Sequence, residues 1–285
     1  MIRKPIVSGT FYEADRKELI KQIEDSFKHE FGPGTLPNPR TDKEIKAIIA
    51  PHAGYPYSGP CQAFSYKALA ESKFPDVYII LGTNHQTQTS CTSNKDFETP
   101  LGTVKLQDNF IKELNIDLNE QAHENEHSIE VQLPFLQFIS ENNKDKLKIV
   151  PIIVGIDYAD TAEKIIKALQ KTNLNPVFII STDFTHYGMS YGFVPFQDNV
   201  KEKLHNLDKG AIDHILKIEP LKFNTNLQET GATICGRFAI MCLLEILNNL
   251  KDRKNIKSKL LKYYTSGDIA RNYRNSVGYA SILFE

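Results

Sequence analysis

The sequence lacks the long apolar segments and cysteine pairs that would assign it to a membrane or to a secreted scaffold. Its nearest approach to the ~18 apolar residues of a membrane-spanning helix is Ile149–Ile156, which Pro151 and Gly155 interrupt. Residues 1–9 carry two basic side chains but no apolar core, so we expect no secretory signal. The four cysteines form no C-x-x-C pair and are too sparse for a disulfide framework in 285 residues. These absences favour a cytoplasmic protein without a membrane partner.

An excess of charge of one sign is also lacking. Lys+Arg total 34 against 35 Asp+Glu, a net charge of −1, so no global field attracts nucleic acid or anionic lipid. One basic segment, Lys251–Lys262, holds six basic residues and one acidic residue. We interpret it as a solvated helix end and connecting loop rather than an RNA contact. Phosphate-binding motifs of the G-x-x-x-x-G-K-[ST] and G-x-G-x-x-G types are absent as well.

The composition that remains is that of an ordinary globular protein, with 41% hydrophobic and 24% charged residues. At ~150 residues per domain the length would permit two domains, but α/β folds often exceed ~200 residues as one unit. Apart from the loop-like stretch Gly32–Arg40, no linker, low-complexity segment or fixed-period repeat marks a boundary. We therefore expect a single domain over residues 1–285.

Short apolar, β-branched runs alternate with segments of helical period. The runs suited to strands buried on both faces are Ile45–Ala50, Val77–Leu81, Lys148–Val154 and Val177–Ile180. The segments of helical spacing are Asp15–Phe31, Ser58–Ser72, Ser128–Ser140, Thr161–Lys171 and Ile234–Leu250. This alternation predicts an α/β fold with a central mixed, largely parallel sheet flanked by helices. In the tail, Leu260–Thr265 and Ser276–Phe284 are two further strand candidates for an antiparallel edge.

Three histidines follow the ends of separate predicted strands. His52, His85 and His186 come after the first, second and fourth of the runs above. Ligands in open α/β sheets bind outside the carboxyl ends of the strands, where the loops diverge. A lone loop histidine is usually a solvated or capping residue, but three in equivalent positions indicate a site.

Two further residues carry chemistry in the predicted loops. His127 opens the predicted helix Ser128–Ser140, where the positive end of the helix dipole would keep the ring neutral. Simple helix capping is the alternative. Cys235 lies directly before or within the first turn of the helix Ile234–Leu250, where free N–H groups favour a thiolate.

Two imidazoles and one thiolate from separate loops would form a three-ligand metal site with open positions, the arrangement that catalytic metals use. Such a set can hold zinc, iron or copper. Asp183 and His186 are three residues apart, close enough to support the site or to form an acid/base pair. A metal-free alternative has Cys235 as nucleophile, a histidine as base and Asp183 orienting that base. It ranks below metal because two or three histidines exceed what a triad needs.

Six ordered motifs, nearly from end to end, make the chain resemble the Memo-like family, whose prokaryotic members are also called AmmeMemoRadiSam system protein B. That family is structurally similar to class III extradiol ring-cleaving dioxygenases. The motifs are Ser8-Gly9-Thr10-Phe11-Tyr12, Ala50-Pro51-His52-Ala53-Gly54-Tyr55-Pro56-Tyr57-Ser58-Gly59, Leu81-Gly82-Thr83-Asn84-His85, Glu126-His127-Ser128-Ile129-Glu130, Ser181-Thr182-Asp183-Phe184-Thr185-His186 and Thr233-Ile234-Cys235-Gly236-Arg237.

The resemblance implies a pocket in an α/β domain with His52, His85 and Cys235 as metal ligands. The residues that would line this pocket are His186, Asp183, Phe11 and Tyr57. In the related dioxygenases a His/His/Glu set holds Fe(II), so we expect iron here, with copper and zinc as alternatives. A cysteine takes the carboxylate's place, so ring cleavage does not carry over directly.

One departure from the family pattern is Gln86, because some relatives have a second histidine at this point. It puts in doubt a role that needs paired histidines, but not a single-ligand role for His85.

The resemblance leaves two functions open. The first is a cytosolic metal-binding, redox-active enzyme of unknown substrate, with His186, Asp183 and His127 as its catalytic residues. The second is a non-catalytic adaptor that uses the same pocket for a peptide or small ligand, because eukaryotic relatives are described as signalling adaptors. The prokaryotic family name implies radical SAM and AMMECR-like partner proteins, which is an analogy from the family.

Overall fold

The computed structural model describes residues 1–250 and 253–285, and these residues form ten α-helices and eleven strands. The strands are β1 (Ile2–Arg3), β2 (Ala47–Ala50), β3 (Val77–Thr83), β4 (Cys91–Thr92), β5 (Asp96–Thr99), β6 (Gly102–Leu106), β7 (Lys148–Val154), β8 (Pro176–Ser181), β9 (His186–Gly188), β10 (Ser258–Thr265) and β11 (Asn275–Phe284). The helices are α1 (Arg16–Lys28), α2 (Tyr55–Ala70), α3 (Asp108–Leu114), α4 (Glu120–Glu124), α5 (Leu133–Ile139), α6 (Tyr158–Thr172), α7 (Val200–Leu216), α8 (Pro220–Thr230), α9 (Arg237–Asn248) and α10 (Ser266–Ala270).

One mixed sheet runs through the molecule. Its strand order is β1-β5-β6-β7-β3-β8-β2-β11-β10, with β4 paired to β7 and β9 paired to β11. The five central strands from β6 to β2 are parallel. The two tail strands continue the sheet in the antiparallel sense beside β2. The predicted α/β class, with a mixed, largely parallel sheet and an antiparallel tail, is confirmed.

The central strands are buried on both faces because helices cover each side. Along β3, Ile79 and Leu81 belong to one apolar cluster, and Tyr78 and Ile80 belong to the other. Side chains of α6 and α9 fill the first cluster, while those of α1, α2 and α5 fill the second. This double burial explains why the strands appear in the sequence as continuous apolar runs without polar alternation.

The predicted helix Ser128–Ser140 is wrong in its first half. Residues Glu130–Gln132 form a 3₁₀ turn, and the α-helix begins at Leu133 with Pro134 in its first turn. Proline lacks an N–H and is accommodated there but not in a helix interior. His127 therefore lies in a turn before the 3₁₀ segment and not at the start of an α-helix.

The basic segment at the end of the chain is only partly described. Lys251 and Asp252 lie outside the described residues, whereas Arg253–Asn255 form a 3₁₀ turn that leads into β10. Lys254, Lys257 and Lys259 are exposed, in keeping with a solvated segment. Within residues 1–250 and 253–285, no helix combines the length and apolar character that crossing a membrane requires.

A buried ion pair fastens the start of the chain to the loops beneath the site. Arg3 on β1 pairs with Glu130, and both side chains are inaccessible to solvent. The Arg3 guanidinium also donates to the main-chain oxygens of His123 (3.1 Å) and Glu126 (2.7 Å). Glu130 further accepts from the Tyr12 hydroxyl at 2.6 Å and from the Ile6 and Val7 amides, at 2.9 to 3.0 Å.

Removing one partner of this pair should destabilise the protein strongly. Glu130→Gln leaves a buried guanidinium without its counter-charge, which typically costs about 3–5 kcal/mol. The matched control is Glu98→Gln, because Glu98 pairs with the exposed Lys4 at 2.7 Å and such pairs contribute about 0–1 kcal/mol. Urea titration measures both free energies of unfolding. Equal losses in the two variants would contradict the role assigned to the buried pair.

Candidate metal centre

Three neighbouring strands deliver their following residues to one edge of the sheet. In the order β3-β8-β2, each strand is the hydrogen-bonded neighbour of the next. His85 follows β3 by two residues, Asp183 follows β8 by two and His52 follows β2 by two. Parallel strands end at the same edge, so these three side chains are brought together by the sheet itself. His186, expected as the third histidine of this set, instead begins β9.

Cys235 reaches the same edge from the loop before α9. The next residue, Gly236, donates its amide to the Thr182 hydroxyl at 2.9 Å. A side chain at Gly236 would place its Cβ 2.4 Å from the Thr182 Cβ and 3.0 Å from the Thr83 hydroxyl. Only glycine therefore lets this loop lie close enough to β3 and β8 for the cysteine sulfur to contact the histidines.

The structure brings His52, His85 and Cys235 together. One ligand atom from each residue lies within 4.8 Å of the other two, and the Cys235 Sγ is 3.5 Å from the His52 Nε2. A tetrahedral ion with bonds of about 2.0–2.3 Å holds its ligand atoms about 3.3–3.8 Å apart. The spacing of the sulfur and the His52 nitrogen already matches that requirement.

Hydrogen bonds orient the His52 ring. The Ser181 hydroxyl donates its only proton to the Ser128 carbonyl at 2.6 Å. It accepts from the Gln132 amide at 2.8 Å and is 3.0 Å from the His52 Nδ1. Gln132 is itself oriented, because its Nε2 also donates to the Pro51 carbonyl at 2.9 Å. With no proton left on Ser181, His52 must donate from Nδ1, and its Nε2 carries the lone pair that faces Cys235.

A buried carboxylate, that of Glu126, orients the His85 ring. Its Nδ1 lies 3.0 Å from one Glu126 oxygen, and its main-chain amide donates to the other at 2.9 Å. Burial disfavours charge on the ring, but hydrogen bonds to Cys235 and Glu126 outweigh it and raise the pKa of His85 to about 9. Burial likewise opposes ionisation of Glu126, yet the hydrogen bond and charge of His85 lower its pKa to about 2. Because Nδ1 donates to Glu126, Nε2 is the ring nitrogen left for a metal, which would displace the proton that the raised pKa keeps there at neutral pH.

One main-chain N–H group points at the Cys235 sulfur, because the Asp183 amide donates to it at 3.3 Å. The hydroxyls of Thr83 and Thr182 lie 3.7 and 3.8 Å from the sulfur, but they donate to nearer carbonyls, those of Ser181 at 3.0 Å and Asp183 at 2.8 Å. An N–H donor beside the sulfur favours a thiolate, the form that binds a metal.

Asp183 supports His52 through the main chain. One of its carboxylate oxygens accepts from the His52 amide at 2.8 Å and from the Ala53 amide at 3.3 Å. The other oxygen lies 4.0 Å from the His52 Nε2. The carboxylate is buried and borders the centre.

His127 is neutral for a different reason from the one its sequence suggests. Its ring lies parallel to that of His85 at 5.2 Å and edge-on to those of His52 and Phe11. Burial lowers the pKa of His127 to about 4. The helix dipole expected as the cause is not involved, since no α-helix begins at this residue.

A cavity of about 490 Å³ adjoins the two histidine ligands. Among the residues expected at the site, those that line it are His52, His85, His127, Asp183, His186, Phe11 and Tyr57. Cys235 instead borders a neighbouring cavity, with its sulfur 3.5 Å from the His52 Nε2.

His186 is held apart from the ligand trio. Its main-chain amide donates to the Thr233 hydroxyl at 2.9 Å, and its Nδ1 is 3.2 Å from the Thr233 carbonyl. A carbonyl only accepts, so Nδ1 carries the proton and Nε2 is an acceptor. The ring lies edge-on to Tyr191 at 5.2 Å.

Glu126, Ser181 and Gln132 position the ligands and were missed by reasoning from the sequence. Glu126 is adjacent to His127 in a motif quoted above, so an acidic neighbour was a visible signal. Ser181 and Gln132 gave no signal, because their roles depend on contacts between the ends of β2 and β8 and the 3₁₀ turn.

Comparison with known proteins finds relatives along the whole chain. The model of the Memo family, described as Memo-like protein, matches residues 3–283. This chain belongs to the Memo-like family. A MEMO1 family protein of Methanopyrus kandleri is 37% identical over 297 residues, covering 100% of this chain and 99% of its own. One from Nitrosopumilus maritimus is 36% identical over 294 residues and covers both chains fully, 100% of each.

A third Memo-like relative, from Desulfurococcus amylolyticus, is 38% identical and covers 99% of this chain and 98% of its own. The family membership inferred from the six motifs is confirmed. The likeness to extradiol dioxygenases stays a prediction. Gln86, where the motif departs from some relatives, is exposed and donates from its side chain to the Asn125 carbonyl at 2.9 Å.

A second buried carboxylate anchors the loop that carries Asp183 and His186. Asp208 on α7 accepts from the amide and hydroxyl of Thr185, which lies between those two residues, and from the Tyr263 hydroxyl at 2.7 Å. Burial raises the pKa of Asp208 to about 6, even though the bonds from Thr185 and Tyr263 oppose the rise.

This raised pKa predicts a pH-dependent cost of folding. Below the unfolded value of 3.8 both states are protonated, and from there to about pH 6 only the unfolded state ionises. Asp208 should therefore reduce the free energy of unfolding by about 2 kcal/mol between pH 4 and pH 7. Asp208→Asn does not titrate, so denaturation at both pH values should show the wild type losing that much relative to the variant. Asp213→Asn, at an exposed position on the same helix, should show the same pH dependence of the free energy of unfolding as the wild type. If Asp208→Asn also shows the wild-type dependence, the prediction is contradicted.

Proposed function

We propose that this Memo-like protein binds a redox-active metal ion through His52, His85 and Cys235, and that it acts with this ion on a small molecule in the adjoining cavity. The approach of three ligand atoms to within 4.8 Å of one another supports the proposal most directly. The hydrogen bonds that His52 and His85 donate from Nδ1 to Ser181 and Glu126 add to it, because they leave Nε2 of each ring as the nitrogen that a metal would bind.

The number of ligands favours a catalytic ion over a structural one. Structural zinc sites use four protein ligands, whereas catalytic sites use three and keep a position open. In the described part of the chain the group at Cys235 has three members. Asp183 borders it, but one of its oxygens is committed to the amides of His52 and Ala53.

The donor set favours iron, with copper and zinc as the alternatives. Two histidines and one anionic ligand with open positions are typical of non-haem iron enzymes. Electron-transfer copper sites also use two histidines and a cysteine, but they usually add an axial methionine. Met189 is 83% exposed and Met241 is buried within α9, and neither borders the centre. When bound, an iron ion would supply one-electron redox chemistry and Lewis acidity.

The protein's own groups would handle protons. His127 is neutral at physiological pH because its pKa is about 4, so its ring can accept a hydrogen bond from a molecule in the cavity. His186 donates from Nδ1 to the Thr233 carbonyl, so Nε2 is the nitrogen through which its ring would exchange a proton with such a molecule. Asp183 holds the His52 main chain and supplies a negative charge at the inner end of the cavity.

A binding role without chemistry is the second candidate. It is favoured by Tyr57 and Tyr191, which line the cavity and are 45% and 46% exposed, as rings that contact a peptide would be. Partner capture that survives loss of all three metal ligands would favour this role. The radical SAM and AMMECR-like partners and the cytoplasmic location stay predictions.

Loss of one ligand should abolish metal binding. Protein purified without oxygen and loaded with Fe(II) should contain about one ion per chain by elemental analysis, whereas His52→Ala and Cys235→Ala should contain almost none. His214→Ala, on α7 and paired with Glu219, is the matched control and should retain the ion. Circular dichroism checks that each variant is folded. Wild-type protein that stays metal-free under iron, copper and zinc loading would overturn the proposal.

Glu126→Gln should weaken the site without removing a ligand. The variant keeps an oxygen near His85 but loses the charge that orients the ring, and such losses typically reduce metal affinity about 10–100-fold. Glu124→Gln is the control, because Glu124 pairs at 2.6 Å with Lys95 at the surface. Competition with a chelator measures both affinities. Unchanged affinity in Glu126→Gln would contradict a positioning role for this carboxylate.

A further inference from the structure

One end of the sheet is a long strand whose outer side pairs with no other strand of residues 1–250 and 253–285. The strand order ends at β1 and at β10. β1 has two residues, whereas β10 has eight, and β10 pairs with β11 alone. Proteins usually shorten, cover or charge such an edge, because its outward amides and carbonyls can pair with another chain.

The register shows which main-chain groups of β10 face outward. Lys257 and Glu285, which precede β10 and follow β11, exchange two main-chain hydrogen bonds of 2.7 and 2.9 Å. Alternation from that pair turns the amides and carbonyls of Ser258 and Leu260 away from β11. The register shifts just after Leu260, so Tyr263 is the next residue that faces outward. Outside the pairing with β11, the described residues supply no acceptor for these three amides.

The same edge carries positive charge. Lys257 and Lys259 are exposed. The Lys262 ammonium lies over two aromatic rings, those of Phe31 and Phe64, at 5.6 and 5.7 Å. In the part of the chain that the structure describes, no ion pair involves these three lysines.

The carboxylates at the ends of the two strands are engaged elsewhere. Glu285, directly after β11, pairs with Lys43. Asp268, on the helix after β10, pairs with Lys201 at 2.9 Å. Residues 253–265 contain five basic residues and no acidic one. A charged edge of this kind discourages pairing with a neutral or basic chain and attracts an acidic one.

The side chains of β10 differ between its two faces. Leu260 and Tyr263 pack against the cluster that α6 and α9 fill. Leu261 packs against the cluster on the other face, and Lys262 lies on that side too, over a ring of α2. Lys259 alternates with Leu260 and therefore shares the face of the second lysine. A strand added here has lysines beside one of its faces and apolar side chains beside the other.

We propose that β10 is a docking edge for an extended acidic segment of a partner protein, which adds to the sheet as a further strand with acidic residues at alternate positions. Its main chain pairs with the outward groups of Ser258, Leu260 and Tyr263, and its carboxylates meet Lys259 and Lys262. A second copy of this chain is a poorer occupant, because two such edges bring like charges to one seam. The inference goes beyond the proposed function, since none of these residues is a metal ligand or lines the cavity beside the ligands.

A short capped peptide of sequence TEVEVET tests the charge preference, and TKVKVKT is its matched control. Fluorescence anisotropy on the full chain should show the acidic peptide binding at least ~10 times more tightly than the basic one. The difference should shrink as salt is raised, because salt screens exposed charges. Equal affinities at low salt would overturn the proposal.

Methylation of peptide amides separates strand addition from simple attraction of charge. Successive residues of a strand direct their amides to opposite edges, so N-methyl groups on alternate residues block one edge only. Of the two acidic peptides methylated in this way, one should lose binding and the other should keep it. Equal binding of the two would show a diffuse electrostatic surface, open to RNA or anionic lipid as well, and would overturn the proposal.

Charge reversal assigns the binding to this edge. Lys257→Glu combined with Lys259→Glu should weaken the acidic peptide at least ~10-fold and strengthen the basic one. Both positions are exposed, so the changes should leave the fold intact. Lys112→Glu, exposed on α3, is the matched control and should bind as the wild type does. Unchanged affinity in the double variant would place the peptide elsewhere and overturn the proposal.

These results are independent of the metal experiment. The double lysine variant should take up metal as the wild type does. If the acidic peptide is preferred in protein that binds no metal, the docking edge stands and the metal function fails. If metal binds but the two peptides bind equally, the metal function stands and the docking edge fails.

Discussion

The geometry of the site depends on which ring nitrogen of His52 and of His85 donates a hydrogen bond to a buried acceptor. His52 and His85 each direct Nδ1 to a buried acceptor, the Ser181 hydroxyl in one case and the Glu126 carboxylate in the other. Both acceptors are held in turn, Ser181 through Ser128 and Gln132, and Glu126 through the main-chain amides of His85 and Ser128. Each ring then presents its Nε2 toward the edge of the sheet where Cys235 lies. Without these acceptors the rings could rotate or exchange tautomers, and three ligand types in proximity would not make a metal site.

The rest of the fold keeps those acceptors in place. The Arg3–Glu130 pair holds the segment between His123 and Glu126 against the first strand, because the Arg3 guanidinium also donates to the main chain there. On the other side of the centre, Asp208 anchors Thr185 and with it the loop from Asp183 to His186. Buried charges are costly unless they are paired or hydrogen-bonded. Their presence beside the site indicates that the fold gives up some stability there to hold the site residues in a defined geometry.

Much of this arrangement could be predicted from the sequence, because part of it is local. Continuous apolar runs predict buried parallel strands, and the rule that such strands end at one edge brings His52 and His85 together. The position of Cys235 before α9 follows from the apolar period of that helix. The carboxylate beside His85 could not be predicted, since Glu126 is distant in sequence and its contact depends on the packing of a turn. The helix expected from Ser128 failed for a similar reason: Glu130 is used in the pair with Arg3, and Pro134 sets the later start. Short strands such as β5 and β6 carry alternating polar residues and give weak signals.

The central claim is that a sulfur and two imidazole nitrogens share one ion. X-ray absorption on the zinc-loaded protein tests it most directly, because the fine structure counts ligands by type and distance. We expect one sulfur at about 2.3 Å and two imidazole nitrogens at about 2.0–2.1 Å. A bound ion surrounded only by nitrogen and oxygen in the wild-type protein would contradict the account.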